Sequence, residues 1–174
     1  HQTNPVYITM SSERTFTSIS AGDSHSCAVL DNGSAVCWGY GANGRLGNGV
    51  VNNEDTPQYV NLPAGRTATS ISAGYSHSCS TLDNGSAVCW GAGGYGKLGN
   101  GDNGGNPQTN PVFVNLGAAQ RTATSIVVGS FHTCAILDNG SVSCWGSGAN
   151  GSLGDGEDGD STSPIQVDIP SGRT

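Results

Sequence analysis

The stretch Ser24-His25-Ser26-Cys27-Ala28-Val29-Leu30-Asp31-Asn32-Gly33-Ser34-Ala35-Val36-Cys37-Trp38-Gly39 reads as a β-hairpin. Two short runs of alternating residues meet at Leu30-Asp31-Asn32-Gly33-Ser34, where Gly33 supplies the left-handed backbone that a tight turn needs. A three-residue Asp-Asn-Gly loop with a bulged glycine pairs Leu30 with Ser34, and counting outward sets Cys27 opposite Cys37. Residues 30 and 34 flank the loop as a hydrogen-bonded pair, so 27 and 37 form a non-hydrogen-bonded pair. At such pairs antiparallel Cα atoms come closest, and a cross-strand disulfide is feasible. A two-residue loop would instead put Cys27 opposite Trp38. The stretch returns from Ser76 to Gly91 and, more loosely, from Ser130 to Gly146, with Gly85 and Gly140 at the turns. Three bridges follow, Cys27–Cys37, Cys79–Cys89 and Cys134–Cys144, each contributing roughly 2–3 kcal/mol through loop entropy.

The hairpin belongs to a longer repeat. Ile19, Cys27 and Trp38 recur as Ile71, Cys79 and Trp90 at a spacing of 52, then as Ile126, Cys134 and Trp145 at a spacing of 55. Periods of this size signify propellers or solenoids. Within each period the order is constant: a Pro-led strand (Pro57 to Leu62), an Arg66-Thr67 turn, a strand from Ala68 to Ala73, the hairpin, and a Gly-rich loop. Four short strands per repeat is the content of one propeller blade. The expectation is therefore an all-β chain of propeller-type blades, forming an incomplete propeller or open arc. It is one repeat domain over 1–174: an N-terminal Pro-led strand in 1–15, then repeats over 16–67, 68–122 and 123–174. Gln2-Thr3-Asn4-Pro5-Val6 is identical to Gln108-Thr109-Asn110-Pro111-Val112. At the other end, Pro164 to Ile169 is followed by Ser171-Gly172-Arg173-Thr174, matching Ala64-Gly65-Arg66-Thr67. Four Pro-led strands thus serve three hairpins, leaving a surplus strand in the last repeat, and surplus strands expose edges that seek partners.

Composition agrees with many short strands and tight turns. Of 174 residues 34% are apolar, 28 are glycine and only 11% are charged, which implies a thin, repeated core rather than a solvated helical surface. No apolar run is long enough for a membrane span. Net charge is −7, with 13 acidic residues against six scattered basic ones, the opposite of what a phosphate-binding surface needs, so no nucleic-acid partner is expected. Six paired cysteines favour an oxidising, extracellular setting, secreted or at the cell surface. The chain begins at His1 without an initiator Met, which fits a processed product or a segment of a longer chain.

The pattern Gly-x-x-His-x-Cys-x-x-Leu-Asp-x-Gly-x-x-x-Cys-Trp-Gly, followed by Gly-x-Leu-Gly-x-Gly, resembles the repeat of the regulator of chromosome condensation family, in the cysteine-bearing form of secreted bacterial members. That resemblance covers nearly the whole chain. It implies a β-propeller of four-stranded blades, usually seven, with the last blade completed by both chain ends. This chain departs from the pattern in having three repeats.

Candidate sites are weighed against what the fold itself demands. His25, His77 and His132 each precede a cysteine by two residues, but a zinc site needs four convergent ligands and these are spread over three repeats, so a hydrogen-bonding role repeated blade by blade is expected. Residues that occur once per repeat serve the fold, and no enzyme activity and no cofactor are expected. Trp38, Trp90 and Trp145 evoke the light-sensing plant ultraviolet receptor branch of the family, but their place beside the bridge points to packing. The Gly-rich loops could suggest phosphate cradles; with no helix following them, they read as compact turns around Leu46, Leu98 and Leu153. Asp155, Glu157, Asp158 and Asp160 form a weak calcium candidate that the other repeats do not share, and a solvated loop is favoured. N-terminal His1 evokes copper-binding oxidative enzymes without their other features. Asn32, Asn84, Asn139 and Asn150 head Asn-Gly-Ser glycan-acceptor triplets, although Asn-Gly is also the turn's own requirement. Arg14, Arg66, Arg121 and Arg173 recur at one phase as anchors for turn carbonyls or acidic neighbours.

The leading expectation is a secreted, non-enzymatic structural protein that assembles with copies of itself through terminal strands, into a ring if the rotation closes and a filament or tubule if it does not. Pro5, Val6, Tyr7, Ile8, Pro164, Ile165, Val167 and Ile169 would form that interface. A competing expectation is an adhesion or binding module within a complete seven-bladed propeller, inhibiting an enzyme as a secreted β-lactamase inhibitor with this repeat does. Tyr40, Tyr75, Tyr95 and Phe131 would then anchor the partner. Nucleotide exchange on a small GTPase, which the family name evokes, is opposed by the acidic charge and the cysteine pairs.

Overall fold

The computed structural model describes residues 7–8, 13–103, 105–117 and 121–169. Among these residues twelve strands form three four-stranded antiparallel sheets, each built from strands consecutive in sequence. The first holds β1 (Phe16–Ala21), β2 (His25–Leu30), β3 (Ala35–Gly39) and β4 (Glu54–Tyr59). The second holds β5 (Ala68–Ala73), β6 (His77–Leu82), β7 (Ala87–Gly91) and β8 (Gln108–Phe113). The third holds β9 (Ala123–Val128), β10 (His132–Leu137), β11 (Val142–Gly146) and β12 (Ser161–Gln166). The three blades form an open propeller.

The hairpin register is the one the Asp-Asn-Gly loop dictates. The Gly33 amide donates to the Leu30 carbonyl and the Leu30 amide to the Ser34 carbonyl, both at 2.9 Å, with Gly33 at φ 76°. Cys27 therefore faces Cys37, and the same holds for Cys79 with Cys89 and Cys134 with Cys144. All three pairs are disulfide-bonded, with Cα atoms 4.1, 4.1 and 4.0 Å apart, as the closely spaced pair of an antiparallel ladder requires.

The prolines do not lead their strands. Pro57, Pro111 and Pro164 each occupy the fourth position of β4, β8 and β12. Between the pairs Cys37–Gln58 and Gly39–Glu54 the outer strand carries two more residues than β3, a bulge that contains Pro57. Proline lacks a ladder donor, and an edge strand with a bulge is where a sheet tolerates it. Each such strand closes the blade of the hairpin that precedes it. The strand bearing Pro164 and Ile165, expected as surplus, is hydrogen-bonded to β11 as the fourth strand of its own sheet. Its N-terminal counterpart, with Pro5 and Val6, lies outside the described residues, as do His1 and the Ser171-to-Thr174 turn with Arg173.

The core lies between blades. One apolar cluster joins Cys27, Val29, Cys37 and Leu46 of the first blade to Ile71, Ala73, Val88 and Trp90 of the second. Another joins Cys79, Cys89 and Leu98 to Ile126, Ala135 and Trp145. Along β2 the residues 25, 27 and 29 face the second blade, while 28 and 30 cluster with Val36 and Trp38 on the other side, the period-2 alternation of a strand buried on two sides.

Candidate interaction surfaces

One hydrogen-bonded node holds each blade to the next. At the first junction Ser78 donates its hydroxyl to the Arg45 carbonyl at 3.1 Å, and the Trp90 indole donates to that same oxygen at 2.9 Å. The Ser78 proton being committed, the 2.7 Å contact between His25 Nε2 and Ser78 Oγ is donated by the imidazole. His25 Nδ1 then carries the lone pair, and it is buried without a partner. The second junction repeats this with Thr133 donating to the Lys97 carbonyl (3.0 Å), Trp145 donating to it (3.0 Å), and His77 Nε2 donating to Thr133 Oγ1 (2.9 Å). Both imidazoles are held neutral. Burial first, then the Arg45 charge, lowers His25 to about 4 against the opposing pull of Asp23. Burial, then Lys97, puts His77 well below its usual range. His25 and His77 are structural hydrogen-bond donors, as expected of the repeat. Trp90 and Trp145 pack on the disulfide of the preceding blade rather than on their own.

The glycines of the Gly-rich loops allow this approach. A Cβ on Gly99, at φ 70°, would stand 2.6 Å from the Trp145 indole nitrogen. Leu46, Leu98 and Leu153 are buried at the centre of these loops.

The outer blades present the unmatched halves of the junction. On the first blade Trp38 and Ser26 are only partly covered, and Ile19 is 65% exposed where Ile71 and Ile126 are 7% and 5%. Tyr7, Ile8, Phe16 and Trp38 line an apolar groove on this face. On the third blade Ile136 is 46% exposed where Val29 is 2%, and Val127 is exposed where its counterparts Ser20 and Ser72 accept the amides of Ala73 and Val128.

A second surface lies at the sheet ends opposite the Asn-Gly turns, where the loops joining the first to the second and the third to the fourth strand of each blade emerge. Tyr75, Tyr95 and Phe131 come together there, the Phe131 ring 6.0 Å from Tyr75 and 5.8 Å from Tyr95. Each is about half exposed. Beneath them Lys97 Nζ lies 5.7 Å from the Phe131 ring and donates to Ser76 Oγ, and burial, then the Arg45 charge, lowers its pKa. Arg45 is buried alongside, donating to the Tyr75 carbonyl at 2.8 Å and stacking 4.7 Å from the Tyr40 ring. Tyr95 adopts φ 65°, a left-handed backbone that suits the Asn43 and Asn150 of the sister loops far better than a bulky aromatic. Of the four anchors read from sequence, three form one ridge and Tyr40 stacks on Arg45. The two cations were not singled out; their signal was an Arg45/Lys97/Ser152 difference inside an otherwise constant Gly-x-Leu-Gly motif.

The remaining sequence candidates lie as follows. Asn32, Asn84 and Asn139 are exposed at the hairpin turns, their side-chain oxygens accepting the amides of Ser34, Ser86 and Ser141, and Asn150 is exposed at the ridge end. In the acidic loop Asp155 and Asp160 accept backbone amides of Glu157 and Gly148, and no metal-ligating cluster forms among the described residues. Val167 follows β12 and packs against Gly154, while Ile169 is exposed. Arg14, Arg66 and Arg121 pair with Asp31, Asp83 and Asp138 at the exposed turn end.

Comparison with known proteins accords with this architecture. The model of the regulator of chromosome condensation (RCC1) repeat matches residues 32–80 and 84–136, and a second model of the same repeat matches 16–45, 68–97 and 123–152. The ultraviolet-B receptor UVR8 of Arabidopsis thaliana is 34% identical over 151 residues, 86% of this chain and 33% of its own length. Human E3 ubiquitin-protein ligase HERC2 is 34% identical over 140 residues, 79% of this chain and 3% of its own. The chain thus spans a third or less of these relatives. Among solved structures, Prp20p from Saccharomyces cerevisiae, described together with its binding properties to Gsp1p and histones, superposes with a TM-score of 0.75 at 24% identity, over 88% of this chain and 38% of that one. With three repeats matched and two family models covering more than half of it, the chain belongs to the regulator of chromosome condensation repeat family.

Proposed function

We propose that this chain is an extracellular, non-enzymatic protein-binding segment of a β-propeller, with the Tyr75–Tyr95–Phe131 ridge as its recognition surface. The observation that carries this reading is the ridge itself. Its aromatics stand where the other blades have Asp, Ser or Asn, so the fold does not require them. They are exposed, mutually packed and seated over a buried lysine, the composition of an interface hot spot. One stands in a backbone conformation that costs on the order of 1 kcal/mol for a bulky side chain. Three disulfides support the extracellular setting. The test is comparative capture from the extracellular fraction of the source cells, using the chain and its triple variant Tyr75→Ser/Tyr95→Asn/Phe131→Ser. A protein retained by the first and lost, by at least about tenfold, from the second is expected. An identical retained set would overturn the assignment.

A second reading, self-association into a ring, filament or tubule, is favoured by the open faces of the first and third blades. Terminal strand exchange is one route. Since all three described blades already hold four strands, contact between blade faces is the more economical one.

A further inference from the structure

Resting on the self-association reading, we infer that a second copy of this chain docks head to tail on the first, completing across the two ends the node found at both internal junctions. Each internal node needs four groups: an imidazole N–H, a hydroxyl, a carbonyl of the Gly-rich loop, and an indole N–H. The first and third blades hold one more complete set, divided between them. By position in the repeat, His132 and the Ser152 carbonyl occupy the open face of the third blade, and Ser26 and Trp38 the open face of the first. Stacked in the internal register, His132 donates to Ser26 of the copy, while Ser26 and Trp38 of the copy donate to the Ser152 carbonyl. The third-blade glycine slot is open, and in the internal register Asp55 of the copy stands at the position that fills it. Gly44 and Gly96 are filled by Thr109 and Thr162 of the next blade, whereas Gly151 has only an Asp158 oxygen at 4.0 Å.

At three positions the end faces are more apolar than the internal ones. Val127 stands in place of Ser20 and Ser72, Ile136 in place of Val29 and Thr81, and Phe16 in place of Ala68 and Ala123. Val29 packs in one cluster with Ala68 and Ile71, so the same register sets Ile136 against Phe16 and Ile19 of the copy. This is the change that separate molecules need. Blades joined by a short linker meet at high effective concentration, but a free copy gives up translational and rotational freedom that extra apolar burial must offset. The contact is heterologous, one face against a different face, so a pair of copies still presents one of each.

Ile19→Asp disables the first-blade face and Ile136→Asp the third-blade face. Both side chains are exposed, so the blades retain their packing, which near-ultraviolet circular dichroism verifies. Sedimentation velocity on the 174-residue chain is expected to show species larger than the monomer that grow with concentration. Each variant alone is expected to associate at least about tenfold more weakly. An equimolar mixture of the two is expected to form a one-to-one dimer and stop there, because each supplies the face the other lacks. A monomeric parent chain overturns both this inference and the self-association reading. Assembly that neither substitution weakens, or a mixture that stays monomeric, overturns the head-to-tail register alone and leaves self-association to the terminal strands.

Discussion

His25 and His77 show how a single donor choice propagates through the fold. Each imidazole gives its one proton to a hydroxyl that has already given its own to a loop carbonyl. A second ring proton would find no acceptor, since Nδ1 of both rings is buried without one. Protonation therefore opposes folding, and the sign follows. Unfolded histidine titrates near 6.5, and folded His25 is lowered to about 4 by burial and by Arg45. The unfolded chain binds more protons between these values, so stability is full above about pH 7 and falls as pH drops through 6.5 toward 4. His25 accounts for roughly 2–3 kcal/mol of that fall, and His77 continues it to lower pH. Urea midpoints measured from pH 7.5 to 4.5 check this. A His25→Gln variant, which keeps a donor but does not titrate, is expected to flatten the profile.

At the scale of the element, the hairpin was open to sequence reading because its determinants are local. Asp31-Asn32-Gly33 sets the loop length, loop length sets the register, and register sets Cys27 against Cys37. The start of β4 was not, because Pro57 reads as punctuation when the chain is taken alone, yet a bulged outer edge absorbs a missing donor. Nor was the node: Trp90 and Ser78 are 45 and 33 residues from the carbonyl they share, and no local pattern announces a backbone acceptor. The ridge was half visible. Tyr75, Tyr95 and Phe131 stood out because the repeat supplies its own control at each position, but the lysine beneath Phe131 required the fold. Burial also ranks the three bridges. Cys27, Cys37, Cys79 and Cys89 are fully covered by a following blade, whereas Cys134 at the open face is partly exposed. Under limiting reductant in native buffer, Cys134–Cys144 is expected to open first, because exchange needs access to a sulfur. Alkylation and peptide mass mapping check the order, and simultaneous loss of all three would count against it.

At the scale of the molecule, the three described blades make two junctions and carry the two halves of another on their outer faces. Heterologous stacking of such halves closes into a ring or grows without limit, according to the rotation each junction imposes. The ridge lies at the sheet ends, where loops emerge, so assembly through blade faces leaves it uncovered and repeats it in every copy. Binding and self-association are thus compatible on one chain. The tryptophan indoles report on the node directly, one per blade. Hydrogen exchange of the three indole N–H groups, followed by NMR from dilute to concentrated protein, is the decisive measurement. Trp90 and Trp145, bonded to loop carbonyls, are expected to exchange slowly throughout, whereas Trp38 is expected to exchange fast when dilute and to slow as copies associate. A Trp38 signal that exchanges at one rate across the whole concentration range would contradict completion of the node by a second copy.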